Sequence, residues 1–163
     1  MYTKKYQMEV CAMRVFSGPE ELKSAVGEEI GVSEWLEITQ ERVNLFAEAT
    51  GDHQWIHVDP QAAADGPFGT TIAHGYLTLS LMVPFMLEIY RVENRKHAVN
   101  YGLNKVRFTS PVPVGSRLRG RLTLAGAEEV KGGGLQLTWS VTIEREGEDR
   151  PACIAENITR VYF

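Results

Sequence analysis

The chain has 163 residues, 44% of them hydrophobic and 23% charged, with a formal net charge of −4. That length suffices for one domain with a substantial dry core, and the composition is that of an ordinary globular protein. The acidic balance argues against a nucleic-acid partner, which selects for a basic excess or a basic patch.

Met1 to Phe16 mixes Lys, Gln, Glu and Arg among its apolar residues and lacks the continuous apolar run of a signal peptide. Ser17-Gly18-Pro19-Glu20-Glu21-Leu22 reads as a helix start, with Pro at the first helical position and acids in the first turn. This helix ends near Gly27, so residues 1–26 form an N-terminal extension to the single domain, 1–163. Trp35 to Ile38 reads as a short extended segment.

Thr39 is a good N-cap. Val43, Phe46, Ala47 and Thr50 follow at helical spacing, and Gly51 stops the helix. Asp52 and His57 then fall in a loop held by a packed helix. Asp59-Pro60 opens another short turn, Gln61 to Asp65, closed by Gly66-Pro67. From His74 or Gly75 to about Arg91 the pattern is helical but apolar on nearly every side, which marks a buried helix. Pro84 bends it locally. Its apolar core, Tyr76 to Tyr90, is too short for a membrane span of about 20 residues.

Beyond Asn94 the period changes to two. Val99 to Phe108, a run from Arg117 to Leu124, Leu135 to Glu144, and Ala152 to Tyr162 read as four strands, broken by Pro111, Pro113, Gly132-Gly133-Gly134 and Gly147. The last three form an antiparallel meander with one dry face, and Val99 to Phe108 is a further strand. A single apolar helix followed by such strands gives an α+β domain, the antiparallel sheet wrapped around a buried central helix. Sheet edges in so small a domain need cover, and pairing with a second copy is a common solution. Cys11 and Cys153 sit in no metal-ligand spacing and make no disulfide scaffold. The default compartment is the cytoplasm, with no membrane partner.

Asp52 and His57 carry the chemistry. Adding water to a double bond conjugated to a carbonyl needs one group that takes a proton and one that supplies it. Histidine titrates nearest neutral pH, and a carboxylate in a partly dry site shifts toward it. On spacing alone the bland reading is the favoured one, an ordinary capping Asp and a polar loop His, because an Asp and a His five residues apart occur often by chance. Arg91, Arg95, Lys96, Lys105, Arg107, Arg117, Arg119 and Arg121 could meet an anionic ligand, although such residues usually form a solvated face.

The run Gly51-Asp52-His53-Gln54-Trp55-Ile56-His57-Val58-Asp59-Pro60, with Phe68-Gly69-Thr70-Thr71-Ile72-Ala73-His74-Gly75-Tyr76-Leu77 and Val112-Pro113-Val114-Gly115-Ser116, resembles the MaoC-like (R)-specific enoyl-CoA hydratases. The likeness covers roughly residues 27–162. It implies a hot-dog fold and the reversible hydration of trans-2-enoyl thioesters to (R)-3-hydroxyacyl thioesters. It places the catalytic carboxylate at Asp52, the catalytic imidazole at His57, and the carbonyl-binding amide at Gly75. A free amide at a helix start suits an oxygen gaining charge.

Gln54 and Trp55 depart from the Asn and Pro usual in that family. With Ile56 they are the expected substrate-binding residues, beside an acyl tunnel along the central helix. His74 is expected to be a structural hydrogen-bonder. The resemblance implies no metal and no organic cofactor, because coenzyme A or an acyl carrier protein is part of the substrate, and a homodimer as the assembly. A hot-dog thioesterase is the rival enzyme, but it would place its carboxylate on the central helix, where only Glu88 stands. A non-catalytic acyl-thioester binder is the other alternative, and it has no need of the Asp52–His57 pair.

Overall fold

A computed structural model describes residues 12–163; the earlier N-terminal stretch, Cys11 included, lies outside the described residues. In chain order the elements are β1 (Arg14–Phe16), α1 (Pro19–Ser24), β2 (Glu29–Val32), β3 (Leu36–Glu37), α2 (Gln40–Thr50), α3 (Trp55–Val58), α4 (Pro60–Ala64), α5 (Gly75–Ser80), α6 (Met82–Ile89), β4 (Tyr90–Val92), β5 (His97–Phe108), β6 (Arg117–Val130), β7 (Gly134–Arg145) and β8 (Cys153–Tyr162). An antiparallel sheet in the order β2-β6-β7-β8-β5, with β3 also paired to β6, curls around α5 and α6. This is the expected hot-dog arrangement.

The strands β6, β7 and β8 form the meander read from the period of two, and their inward residues Leu118, Leu122, Leu124, Leu137, Trp139, Val141 and Ile143 are buried. Two features of the sheet go beyond that meander. The strand β5 does not join β6 but crosses to the far side and pairs with β8. Pro111 and Pro113 forbid a tight hairpin, and the chain between them binds the site instead: Ala73 N–H donates to Val112 O, and Val114 N–H donates to Thr71 O. The short strands β2 and β3 extend the sheet beyond the four expected strands by pairing with β6.

The central helix is broken and shorter than expected. It pauses at Leu81, between α5 and α6. Pro84 has no N–H to offer the Ser80 carbonyl, so the hydrogen-bond ladder lapses there. It ends at Ile89 rather than near Arg91. Tyr90 turns to extended geometry, its ring stacks on Trp139 at 4.5 Å, and β4 pairs in parallel with β1. Packing of Tyr90 and Val92 outweighs continuation of the helix. Burial pushes the Tyr90 hydroxyl up to about 12, so it stays neutral in the core.

The described part of the extension belongs to the core: Phe16 and Leu22 are fully buried, and Pro19 opens α1 as expected. No helix among the described residues is long and apolar enough to cross a membrane. One face of the central helix stays open, with Tyr76, Ser80, Val83 and Leu87 exposed at helical spacing. Beside it, β5 is exposed along nearly its whole length, including Leu103 and Phe108.

Candidate active site

The helix α2 begins at Thr39, whose hydroxyl accepts from Arg42 N–H at 3.2 Å, and ends at Gly51 in left-handed geometry. The chain then turns sharply and lays Asp52 at the end of α2. Asp52 lies in a loop as expected. His57 does not; it sits in the single turn α3. That turn forms because Gln40 reaches from α2 to it: Gln40 Nε2 donates to His57 O at 2.8 Å, and Gln40 Oε1 accepts from Thr71 Oγ1 at 2.6 Å. Asp59, not Asp52, caps the next turn, accepting from the amides of Gln61 and Ala62.

The two segments flagged in the sequence meet. One ligating atom from each of Asp52, His57 and His74 lies within 4.8 Å of the others. His57 is 7% exposed and His74 2%, whereas Asp52 faces outward. His57 Nδ1 lies 2.7 Å from Ile72 O. A carbonyl only accepts, so Nδ1 carries the proton and Nε2 of the neutral ring is bare. Burial pushes the His57 imidazole below its ordinary value and the adjacent His74 ring acts in the same direction, while the Ile72 carbonyl and Asp52 carboxylate oppose them. The result is a neutral base beside a carboxylate. The two imidazoles stack at 3.9 Å with planes 25° apart.

Gly75 opens α5 directly after His74. Among the described residues its amide donates to no backbone acceptor. The Phe108 ring covers it so closely that a Cβ at Gly75 would lie 2.9 Å from the ring. Gly75 and Phe108 line a cavity of about 300 Å³ with Phe68, Ile72, Thr78 and Val112. Asp52 and His57 do not line it, although His57 is bonded to the carbonyl of Ile72, which does.

The expected substrate residues are placed less centrally. Gln54 and Trp55 are exposed, the Trp55 ring packs over Gly66, and Ile56 is half-buried, its carbonyl accepting from Ile72 N–H. None of the three lines the cavity at Gly75. Gln40, Phe46, Thr71 and Phe108 were not singled out in the sequence, and their contacts to the site are all made at long range. Arg117, Arg119 and Arg121 are tied up by Glu146, Glu144 and Glu29, the solvated face anticipated above. Arg91 pairs with Glu93 on β4, not on the helix. Ser80 Oγ bonds back to Tyr76 O within its own turn.

This fold and site define a hot-dog enzyme with a buried imidazole set against a carboxylate. Comparison with known proteins agrees. The family described as "MaoC like domain" matches residues 21–144. A 3-hydroxyacyl-thioester dehydratase Z of Mycobacterium tuberculosis is 57% identical over 148 residues, covering 91% of this chain and 98% of the relative. Two solved structures share the fold: an Archaeoglobus protein described as a monoamine oxidase regulatory protein (TM-score 0.75, 22% identity, 92% of this chain and 97% of that one), and an (R)-hydratase from A. caviae (TM-score 0.66, 24% identity, 81% and 95%). The chain belongs to the MaoC-like dehydratase family.

Proposed function

We propose that the protein hydrates trans-2-enoyl thioesters to (R)-3-hydroxyacyl thioesters and catalyses the reverse dehydration. The observation that carries this reading is a carboxylate oxygen of Asp52 within 4.8 Å of a ring nitrogen of the neutral, buried His57. Water held between them attacks C3 as its proton passes to His57 Nε2. The carboxylate orients that water and stabilises the imidazolium. The electron pair of the double bond moves to the thioester oxygen, which accepts from the Gly75 N–H. The proton then passes from the pair to C2, so one molecule of water is added across one face of the double bond. Positioned acid and base groups each contribute ~10²–10⁴-fold. The chemistry requires no metal and no organic cofactor, since coenzyme A or acyl carrier protein travels with the substrate.

A homodimer is part of the proposal. The open edge of β5 offers unpaired backbone groups, and the apolar stripe of Tyr76, Val83 and Leu87 lies beside it. Pairing with a second copy satisfies the edge and covers the stripe. The dimer then walls in the cavity at Gly75 to hold the acyl chain, with Gln54, Trp55 and Ile56 flanking the catalytic pair. The cytoplasm, where such carriers are used, is the proposed compartment. Glu88, the acid a thioesterase would need, is exposed and holds the backbone amide of Glu34 at 3.2 Å, away from the pair.

The test is incubation with crotonyl-CoA, following enoyl absorbance and free thiol together. Loss of absorbance without thiol release supports hydration. Thiol release would establish a thioesterase instead, and no change in either signal across short and medium acyl chains would point to a binder.

A further inference from the structure

His74 occupies the N-cap position of α5, yet its side chain does not cap that helix. It reaches back 22 residues, where its Nε2 lies 2.9 Å from the backbone oxygen of Asp52. That oxygen only accepts, so Nε2 carries the ring proton. One face of the ring stacks on His57, with centroids 3.9 Å apart, and Phe46 packs against it at 4.9 Å. The other nitrogen, Nδ1, is buried and bonded to no protein group among the described residues. An apolar ring would fill the same slot without leaving a buried lone pair unpaired. What an imidazole adds there is the bond to Asp52.

We propose that His74 is the positioning residue of the catalytic pair, tying the Asp52 backbone to the start of α5 while its ring backs the His57 imidazole, so that carboxylate and base keep one relative geometry. The catalytic function of the pair is that of the preceding section. His74 is not itself catalytic, because its only protonated nitrogen is spent on the backbone. The groups that act on His57 by charge are Asp52, from the preceding loop, and His74; α2 presents Phe46 and, to the His57 backbone, Gln40. The same histidine that anchors Asp52 therefore also opposes a positive charge on His57.

Three substitutions separate the roles. His74→Phe keeps a stacking ring and loses the donor. His74→Gln places an amide donor near the position of Nε2 and loses the ring. His74→Asn has a donor too short to reach. Steady-state hydration and the titration of the four histidines, read from 15N-histidine NMR, are measured on each.

A misplaced catalytic group loses about 10–100-fold, so His74→Phe and His74→Asn are expected to lower kcat by that factor with KM changed by less than about threefold, and His74→Gln to recover most of it. In all three the His57 midpoint moves to higher pH, because the ring that opposes a positive charge on His57 is gone. Wild-type kcat in His74→Phe, or folded Gln and Asn variants that are equally slow, would overturn the positioning role. An unmoved His57 midpoint would overturn the coupling of the two rings. If the wild type fails to hydrate any enoyl thioester, the functional reading falls while the NMR titrations still decide the contact.

Discussion

Replacing Gly120 by alanine tests how tightly the helix is pressed onto the sheet. Gly120 lies in β6, and a Cβ there would stand 2.7 Å from Cβ of Phe85 and 3.1 Å from its ring. Carbon atoms normally meet at about 3.5–4.0 Å, so the overlap is about 1 Å. Phe85 is 1% exposed, and its Cβ is fixed to the backbone of α6, so no rotamer change relieves the clash. Either the helix or the strand must move. Overpacking of this kind costs about 1–3 kcal/mol, partly offset by the ~0.4–1 kcal/mol that alanine gains by restricting the unfolded chain.

Gly126→Ala is the control. It sits in the same strand, receives the same entropic gain, and meets only Thr138 at 3.6 Å, an ordinary contact. With about 2–4 °C per kcal/mol for a chain of this size, thermal melts at equal protein concentration should place the Gly120 variant roughly 2–12 °C below the Gly126 variant. Equal melting temperatures would refute the claim that Phe85 is wedged against β6.

Stability should also depend on pH through His57, whose folded value is lowered by burial. Below about pH 6.5 the unfolded chain takes up a proton that the buried ring resists, so this contribution is intact above that pH and fades as pH falls toward the folded value. Urea unfolding at pH 7.5 and 5.5 should show wild type losing more stability than His57→Gln; identical losses would contradict the sign. Leu87→Glu, at a residue 60% exposed on the open stripe, should convert the proposed dimer to monomer in sedimentation velocity, whereas a dimer unchanged by the substitution would remove α6 from the proposed interface.

The parts legible in the sequence were those specified by local chemistry. Thr39 and Gly51 delimit α2 because a hydroxyl cap and a left-handed glycine act within a few residues. Leu135 to Glu144 declares a strand with one dry face by its period of two. The parts that were not legible depend on distant partners. Nothing near Arg91 reports that Tyr90 will stack on Trp139 and end the helix, and nothing in Val99 to Phe108 says that this strand passes β6 to pair with β8. In the site, Asp52 and His57 could be named because their motif is contiguous. The bonds that hold them, Gln40 to the His57 carbonyl and His74 to the Asp52 carbonyl, span 17 and 22 residues and leave no local signal.

The most direct test of the account is a double-mutant cycle on the hydration rate with Asp52→Asn, His57→Gln and the combined variant. Two groups serving one water molecule act as a unit, so each single change should lower kcat by ~10²–10⁴-fold and the double variant should be little slower than the slower single. Near-normal turnover in either single variant, or losses that multiply as for independent groups, would contradict it.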